Sequence, residues 1–318
     1  MLSLLVLAAA TLASPRPATA PPRGDRTATI HRRILDSDGG QITVAHRGCH
    51  NPAPGHALGS APENSAAALD NCVALGVDVM ETDVRQSRDG VLVIIHDATL
   101  DRMTDGRGPV EAMTLAELKA LRLRANQGGP TAPLTDQRIL TLDEMLVYAR
   151  GKIVLNLDVK TAIYGEVVAA VLRAHAVDAV IVKTTASTGT AQPLAAIAPF
   201  DRVPFMPVLR FPHAEAELQG VMRAQLQGTP RPIGFELPPL SPAILPALSS
   251  IARGAKVRLW INTLNGGYVS GMGGDPDALR NPDMVWGSLY RTGVSMIQTD
   301  EPEALVAFNA RYAATARR

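Results

Sequence analysis

Charge of one sign is nearly absent as an excess: 31 Lys and Arg stand against 30 Asp and Glu, a formal net charge of +1. A nucleic-acid partner calls for a basic patch, so that class is set aside, and phosphate recognition has to come from a few placed groups. Cysteine is scarce, with only Cys49 and Cys72, and neither has the spacing of a zinc site. The opening apolar run, residues 2–12, is too short to span a bilayer. No internal repeat and no linker after Gly40 divides the chain. What remains is ordinary globular composition, 46% hydrophobic and 19% charged over 318 residues, enough for a sizeable core.

The apolar start is followed by a Pro-rich, small-residue stretch in which Ala18-Thr19-Ala20 fits a small-x-small cleavage pattern. The basic residues that usually open a secretory signal do not precede it. Residues 1–20 are expected to be a signal peptide, residues 21–40 an N-terminal extension, and residues 41–318 the working domain, in the periplasm or secreted. No stable membrane anchor is expected. Export permits a disulfide between Cys49 and Cys72; two free buried thiols are the other reading.

Strand-like and helix-like segments then alternate. Residues 41–46, 77–84, 91–95, 153–159, 180–182, 205–209, 233–237, 257–261 and 294–299 read as strands. Helical spacing covers residues 65–75, with Asn64 or Ser65 as N-cap, and residues 115–121, 142–149, 164–174, 214–226, 243–252 and 302–310. Thr114 and Thr141 each have a Glu three residues on, Glu117 and Glu144, which predicts capping boxes. Strand–helix alternation over the whole length predicts one α/β domain with a parallel sheet, closed as a TIM-type (β/α)₈ barrel, with an open doubly wound sheet as the alternative. The stretch between the second and third strands is irregular. Residues 84–90 are too short for a parallel crossover, and Arg88-Asp89-Gly90 signals a turn. Nine strand candidates therefore fit an eight-stranded barrel if one of that pair is an antiparallel extra.

Polar residues cluster where strands end. His46 and Arg47 close the first strand, and Glu81 and Asp83 lie two apart on one face of the second. His96 and Asp97 close the third, and Asp158 and Lys160 end the fourth. In a parallel barrel the C-terminal strand ends form the active face. A single histidine there is ordinarily a hydrogen-bonding residue and a single acid pair an ordinary ion pair; so many at matching ends point to a site. Glu81, Asp83 and Asp158 would repel one another unless a hard cation with oxygen ligands, Mg²⁺ or Ca²⁺, sits among them. Arg47 and Lys160 would then stabilise phosphate oxygens. His46 and His96 would serve in proton transfer, His46 as base and His96 as acid.

His46-Arg47-Gly48, Pro62-Glu63-Asn64-Ser65, Glu81-Thr82-Asp83-Val84, Asp89-Gly90, His96-Asp97 and Leu100-Asp101-Arg102-Met103-Thr104-Asp105-Gly106-Arg107-Gly108 resemble the glycerophosphodiester phosphodiesterase family. Thr141-Leu142-Asp143-Glu144, Leu157-Asp158-Val159-Lys160, Trp260-Ile261-Asn262 and Gln298-Thr299-Asp300-Glu301-Pro302 extend the likeness. The resemblance implies a phospholipase C-like barrel, catalytic His46 and His96, one divalent cation on Glu81, Asp83 and Asp158, and phosphate held near Arg47 and Lys160. Glu63 and Trp260 are second-rank site candidates, Glu63 as a substrate contact or as a brace of the first loop. The implied partner is a small phosphodiester or lysophospholipid, cleaved to an alcohol and glycerol 3-phosphate.

The chain departs from the family pattern in three places. Asp158 stands where a Glu is usual. A 13-residue loop, residues 49–61, follows Gly48; its His50 and His56 are read as surface-loop residues, with reach to the substrate as the alternative. A long loop rich in Gly and Asp, residues 264–290, is expected to shape the leaving-group pocket. Phospholipases that act through a cyclic phosphate, and a non-catalytic phosphate-binding barrel, share the pattern and are the alternatives. A glycosidase is disfavoured, because carboxylates two apart on one strand lie too close to flank a glycosidic bond.

Overall fold

Residues 154–159 read Val-Leu-Asn-Leu-Asp-Val, and successive side chains of a strand point to opposite faces. Leu155, Leu157 and Val159 join the large outer core beneath the helices, and Val154 joins the cluster inside the barrel. The same parity therefore turns Asn156 and Asp158 inward. Strands buried on both faces in this way are what a parallel sheet under helices requires.

In the computed structural model, which describes residues 25–190, 192–211 and 213–316, the nine strands are β1 (Ile42–Ala45), β2 (Val79–Gln86), β3 (Leu92–Ile94), β4 (Val154–Val159), β5 (Val180–Ala186), β6 (Phe205–Leu209), β7 (Gly234–Glu236), β8 (Arg258–Asn262) and β9 (Met296–Thr299). Eight run parallel in the order β1-β9-β8-β7-β6-β5-β4-β2, and β1 pairs with β2 to close the barrel. The ninth, β3, lies antiparallel on the end of β2, with Val84 opposite Ile94. The seven-residue gap is thus a hairpin, with Gly90 at φ 82 in its turn.

The helices are α1 (Arg26–Leu35), α2 (Ala66–Leu75), α3 (Leu115–Ala120), α4 (Leu142–Ala149), α5 (Tyr164–Arg173), α6 (Glu217–Gln225), α7 (Leu245–Ala255), α8 (Asp275–Arg280), α9 (Ser288–Arg291) and α10 (Pro302–Ala316). Ser65 caps α2 by accepting from the Ala68 N–H, and both predicted capping boxes form, at Thr114–Glu117 and Thr141–Glu144. Residues 264–290, expected to be a loop, contain α8, a π-helical turn at Asp283–Gly287 and the start of α9. Their Gly and Asp content hid these short helices. β5 runs on past the expected residue 182 because Lys183, though charged, points into the barrel.

The described part of the expected N-terminal extension is packed against the barrel. α1 covers the N-terminal strand ends, and its Ile30 and Ile34 join Ile42, Val44, Val79, Val154, Ile181, Met206, Trp260 and Met296 in one cluster. Burying each isoleucine contributes roughly 1.5–3 kcal/mol. Buried Arg258, at the start of β8, donates to the carbonyls of Ile34, Gly40 and Asp36, satisfying orphan acceptors at the helix C-terminus. The expected signal segment, residues 1–20, lies outside the described residues. Among the described residues no helix is long and apolar enough to cross a membrane.

Cys49 and Cys72 form a disulfide, Cα–Cα 5.1 Å, that ties the loop after β1 to α2.

Candidate active site

The inward parity of β2 and β4 stacks polar residues above the apolar plug. Glu81 pairs with Asn156 across the two strands, and one layer higher Asp83 pairs with Asp158. Glu81, Asp83 and Asp158 bring carboxylate oxygens within 4.8 Å of one another. Glu81 and Asp83 are buried, and Asp158 is partly open. Burial, with Asp83 close by, pushes the Glu81 carboxyl well above its ordinary range. Asp83 goes the other way: burial would raise it, but the Lys160 ammonium, His96 and Arg47 together lower it. Lys160 Nζ lies 2.8 Å from Asp83 Oδ1 and 2.8 Å from Asp158 Oδ2. The Asp83 oxygen has this ionic neighbour but no directed hydrogen bond.

Asn64 holds the second Asp83 oxygen. Its φ of 59 places it in the left-handed region, which Asn tolerates better than most residues. From there its amide donates to Asp83 Oδ2 at 2.7 Å and accepts from the Thr82 hydroxyl at 2.7 Å and the Asp83 N–H at 3.1 Å. Arg47, also left-handed at φ 54, donates its backbone N–H to Glu81 Oε2 at 2.9 Å. Its guanidinium reaches Glu63 at 3.1 Å. Glu63 is buried and also takes Arg102 at 2.6 Å. Glu63 thus holds two guanidiniums and has almost no open surface.

The two histidines are held alike, each with Nδ1 on a carboxylate. His46 Nδ1 lies 2.8 Å from Asp300 Oδ1, and His96 Nδ1 lies 2.7 Å from Asp97 Oδ1. A carboxylate only accepts, so each Nδ1 carries the proton and each Nε2 is left as the free ring atom. Asp97 is fixed in turn by Arg102 at 2.7 Å. Burial would raise the Asp97 carboxyl, but Arg102 and His96 hold it down at about 2. Burial lowers His96, against the pull of Asp83 and Asp97.

Asp300 follows β9. Its backbone N–H donates to Asp275 Oδ2 at 2.8 Å, and Asp275 also takes the hydroxyls of Thr263 and Thr299. Burial pushes Asp275 up to about 6. Burial would raise Asp300 as well, but hydrogen bonds from His46 and His50 hold it far below the usual carboxylate range. His50 contradicts its reading as a surface residue, since its side chain is 0% exposed. The disulfide and a backbone bond from Ala61 N to His50 O fold the loop inward. His56 does lie at the surface, on Glu303. His46, His50 and Asp300 also come within 4.8 Å of each other, and their hydrogen bonds account for that closeness without an ion.

Below the acids lies a polar layer that sequence reasoning missed. Lys183 Nζ is 2.9 Å from Glu236 Oε2, and Glu236 Oε1 accepts from the Asn262 amide at 3.0 Å. Trp260 is fully buried beneath this layer. Its Nε1 donates to Asn262 Oδ1, and Lys183 Nζ stands 4.8 Å from the ring centre. The structure therefore places Trp260 under the site and away from the open face. A lysine interrupting an apolar strand was the one available signal for Lys183.

Residues 46–196 match the profile of the glycerophosphoryl diester phosphodiesterase family, and residues 205–308 match a domain of unknown function. The chain is 37% identical over 123 residues to a glycerophosphodiester phosphodiesterase of Caldanaerobacter subterraneus, covering 38% of this chain and 46% of that protein. It is 34% identical over 118 residues to glycerophosphodiester phosphodiesterase 1 of Mus musculus, covering 37% and 33%. The chain spans less than half the length of these curated relatives. A crystal structure of a glycerophosphodiester phosphodiesterase from Agrobacterium tumefaciens superposes with a TM-score of 0.60 at 26% identity, covering 84% of this chain and 99% of that one. An Oleispira antarctica phosphodiesterase solved with the product sn-glycerol-3-phosphate shares the fold, at a TM-score of 0.56 and 22% identity over 86% of this chain and 97% of that one.

Proposed function

Because the chain belongs to the glycerophosphoryl diester phosphodiesterase family, we propose that it hydrolyses glycerophosphodiesters to an alcohol and glycerol 3-phosphate, with one divalent cation on Glu81, Asp83 and Asp158. One observation carries this reading: three inward carboxylates within 4.8 Å of one another, at the strand ends that also bear His46, Arg47 and Lys160. The donor set fits a hard ion, being all oxygen and held by Asn64 and Arg47 from outside the cluster. When bound, Mg²⁺ or Ca²⁺ would polarise the phosphoryl oxygens and offset the negative charge of the cluster.

The chain's own residues do the rest. Lys160 and the Arg47 guanidinium supply positive charge for the phosphate oxygens. His46, its Nδ1–H fixed on Asp300, keeps Nε2 free to take a proton from the attacking water. His96 returns a proton to the leaving alcohol; burial lowers its basicity, which makes it the readier donor, while Asp83 and Asp97 oppose that lowering. Positioned proton transfer of this kind is worth about 10²–10⁴-fold in rate. The Cys49–Cys72 disulfide supports export to the periplasm or beyond.

The test is turnover of glycerophosphocholine, glycerophosphoethanolamine, glycerophosphoinositol and lysophospholipids by the full chain with Mg²⁺ or Ca²⁺. Phosphorus NMR separates glycerol 3-phosphate from a cyclic diester, which would assign the phospholipase chemistry instead. Full activity in EDTA would end the metal role, and full activity of His46→Ala or His96→Ala would end the acid–base assignment.

A further inference from the structure

We propose that His50 is a positioning residue for the hydrolysis, holding Asp300 in the one arrangement that orients His46. The catalytic consequence rests on His46 acting as the base, as read above.

Both rings converge on a single oxygen. His46 Nδ1 lies 2.8 Å and His50 Nε2 3.1 Å from Asp300 Oδ1. Asp300 can only accept, so both nitrogens carry protons. Among the described residues, the other carboxylate oxygen, Oδ2, has just the Gln127 amide at 3.3 Å. A carboxylate held at one oxygen by His46 alone could turn about its side-chain bonds, and the His46 ring would follow it. His50 removes that freedom, because it is itself fixed at both ends. Its Nδ1 lies 2.9 Å from the Asn126 side-chain amide, its carbonyl accepts from the Ala61 N–H, and its chain neighbour Cys49 is bonded to α2.

The alternative role, touching substrate, is closed to it. The His50 side chain is 0% exposed, whereas those of His46 and Asp300 are 15% and 16% exposed. No entering molecule can touch the ring without displacing the side chains packed around it, Asp300, Asn126 and Gln127 among them. His50 should therefore act on the rate of the chemical step and not on binding, by keeping the proton of His46 on Nδ1 and its lone pair on Nε2. Partners that orient a functional histidine from behind typically cost about 10–100-fold when removed.

The experiment uses the full Mg²⁺-loaded chain and three variants. His50→Leu removes the donor, His50→Gln retains an amide donor, and Asn126→Ala frees the ring without removing it. His50→Leu is expected to lose about tenfold to a hundredfold in kcat with KM unchanged, and His50→Gln to recover most of that loss. Nitrogen-15 NMR of the His46 ring, which needs no turnover, should show the Nδ1–H form in the unmutated chain and a mixture of tautomers in His50→Leu. If His50→Leu does not fold, Asn126→Ala should show the same tautomer mixing with a smaller kcat loss. Unchanged kcat and an unchanged His46 tautomer in folded His50→Leu would overturn the proposal, as would a rise in KM alone. A chain that hydrolyses no diester but shows the tautomer change would remove the phosphodiesterase reading and leave the positioning role standing.

Discussion

The backbone N–H of Arg47 donates to Glu81 Oε2 across 2.9 Å. A loop residue proposed for phosphate and a strand residue proposed for the cation are thereby one mechanical unit. The loop after β1 cannot shift without moving a carboxylate of the cluster.

Glu81→Gln keeps the acceptor for that N–H and removes a buried negative charge. Metal-free protein carrying it should melt a few degrees higher than the unmutated chain, since one charged partner of Asp83 and Asp158 is gone. Mg²⁺ should raise the melting temperature of the unmutated chain by mass action and leave that of the variant almost unmoved. The pH dependence has a definite sign. Glu81 titrates higher folded than unfolded, so its contribution is whole below the ordinary glutamate range and is lost as pH rises through the raised value. Metal-free chain should therefore weaken from acidic towards neutral pH more than Glu81→Gln does, as read by urea midpoints at several pH values.

Lys160→Met tests whether one ammonium serves two carboxylates. Losing the contacts to Asp83 and Asp158 should cost about 2–3 kcal/mol in metal-free protein. Saturating Mg²⁺ should restore part of that loss by supplying the missing positive charge. kcat/KM should fall about 100-fold, because the same group is proposed for the phosphate. Denaturation midpoints with and without Mg²⁺ check the first part and steady-state rates the second.

Glu63→Gln should loosen Arg47 more than Arg102, because Asp97 still holds Arg102 at 2.7 Å. Weaker phosphate binding follows. The inhibition constant of glycerol 3-phosphate should rise about tenfold and the melting temperature should drop, since removing one partner of a buried ion pair costs about 2 kcal/mol or more.

Reducing the disulfide, or Cys49→Ser with Cys72→Ser, opens a link between residues 23 apart. A loop of that size is worth about 3 kcal/mol. The same change frees the segment carrying His50, so kcat should fall. Mg²⁺ affinity should fall less than kcat, because Glu81, Asp83 and Asp158 sit on strands and, among the described residues, meet the loop only through Arg47 and Asn64. Calorimetry with and without reductant separates the two effects.

What could be read in the chain follows from distance along it. Glu81 and Asp83, or Asp158 and Lys160, announce themselves because strand parity is local, and Thr114–Glu117 because capping is local. The hairpin at Asp89-Gly90 is legible from the shortness of the gap and from the Arg88-Asp89-Gly90 turn signal. His46 and Asp300 lie 254 residues apart and meet only because β1 pairs with β9 when the barrel closes. Lys183, Glu236 and Asn262 come from three separate strands, and nothing local to any one of them shows that these side chains meet. His50 misled because its loop is rich in Pro and Gly, the composition of a surface turn; the disulfide and the Asp300 carboxylate draw it inward. α1 was missed because its apolar positions, Ile30 and Ile34, sit among basic residues whose partners are backbone carbonyls and Asp78 across the barrel floor.

That floor makes the barrel a vessel with a single doorway. With Ile30, Ile34 and Arg258 stoppering one end among the described residues, the proposed substrate and its products would have to share the opposite opening.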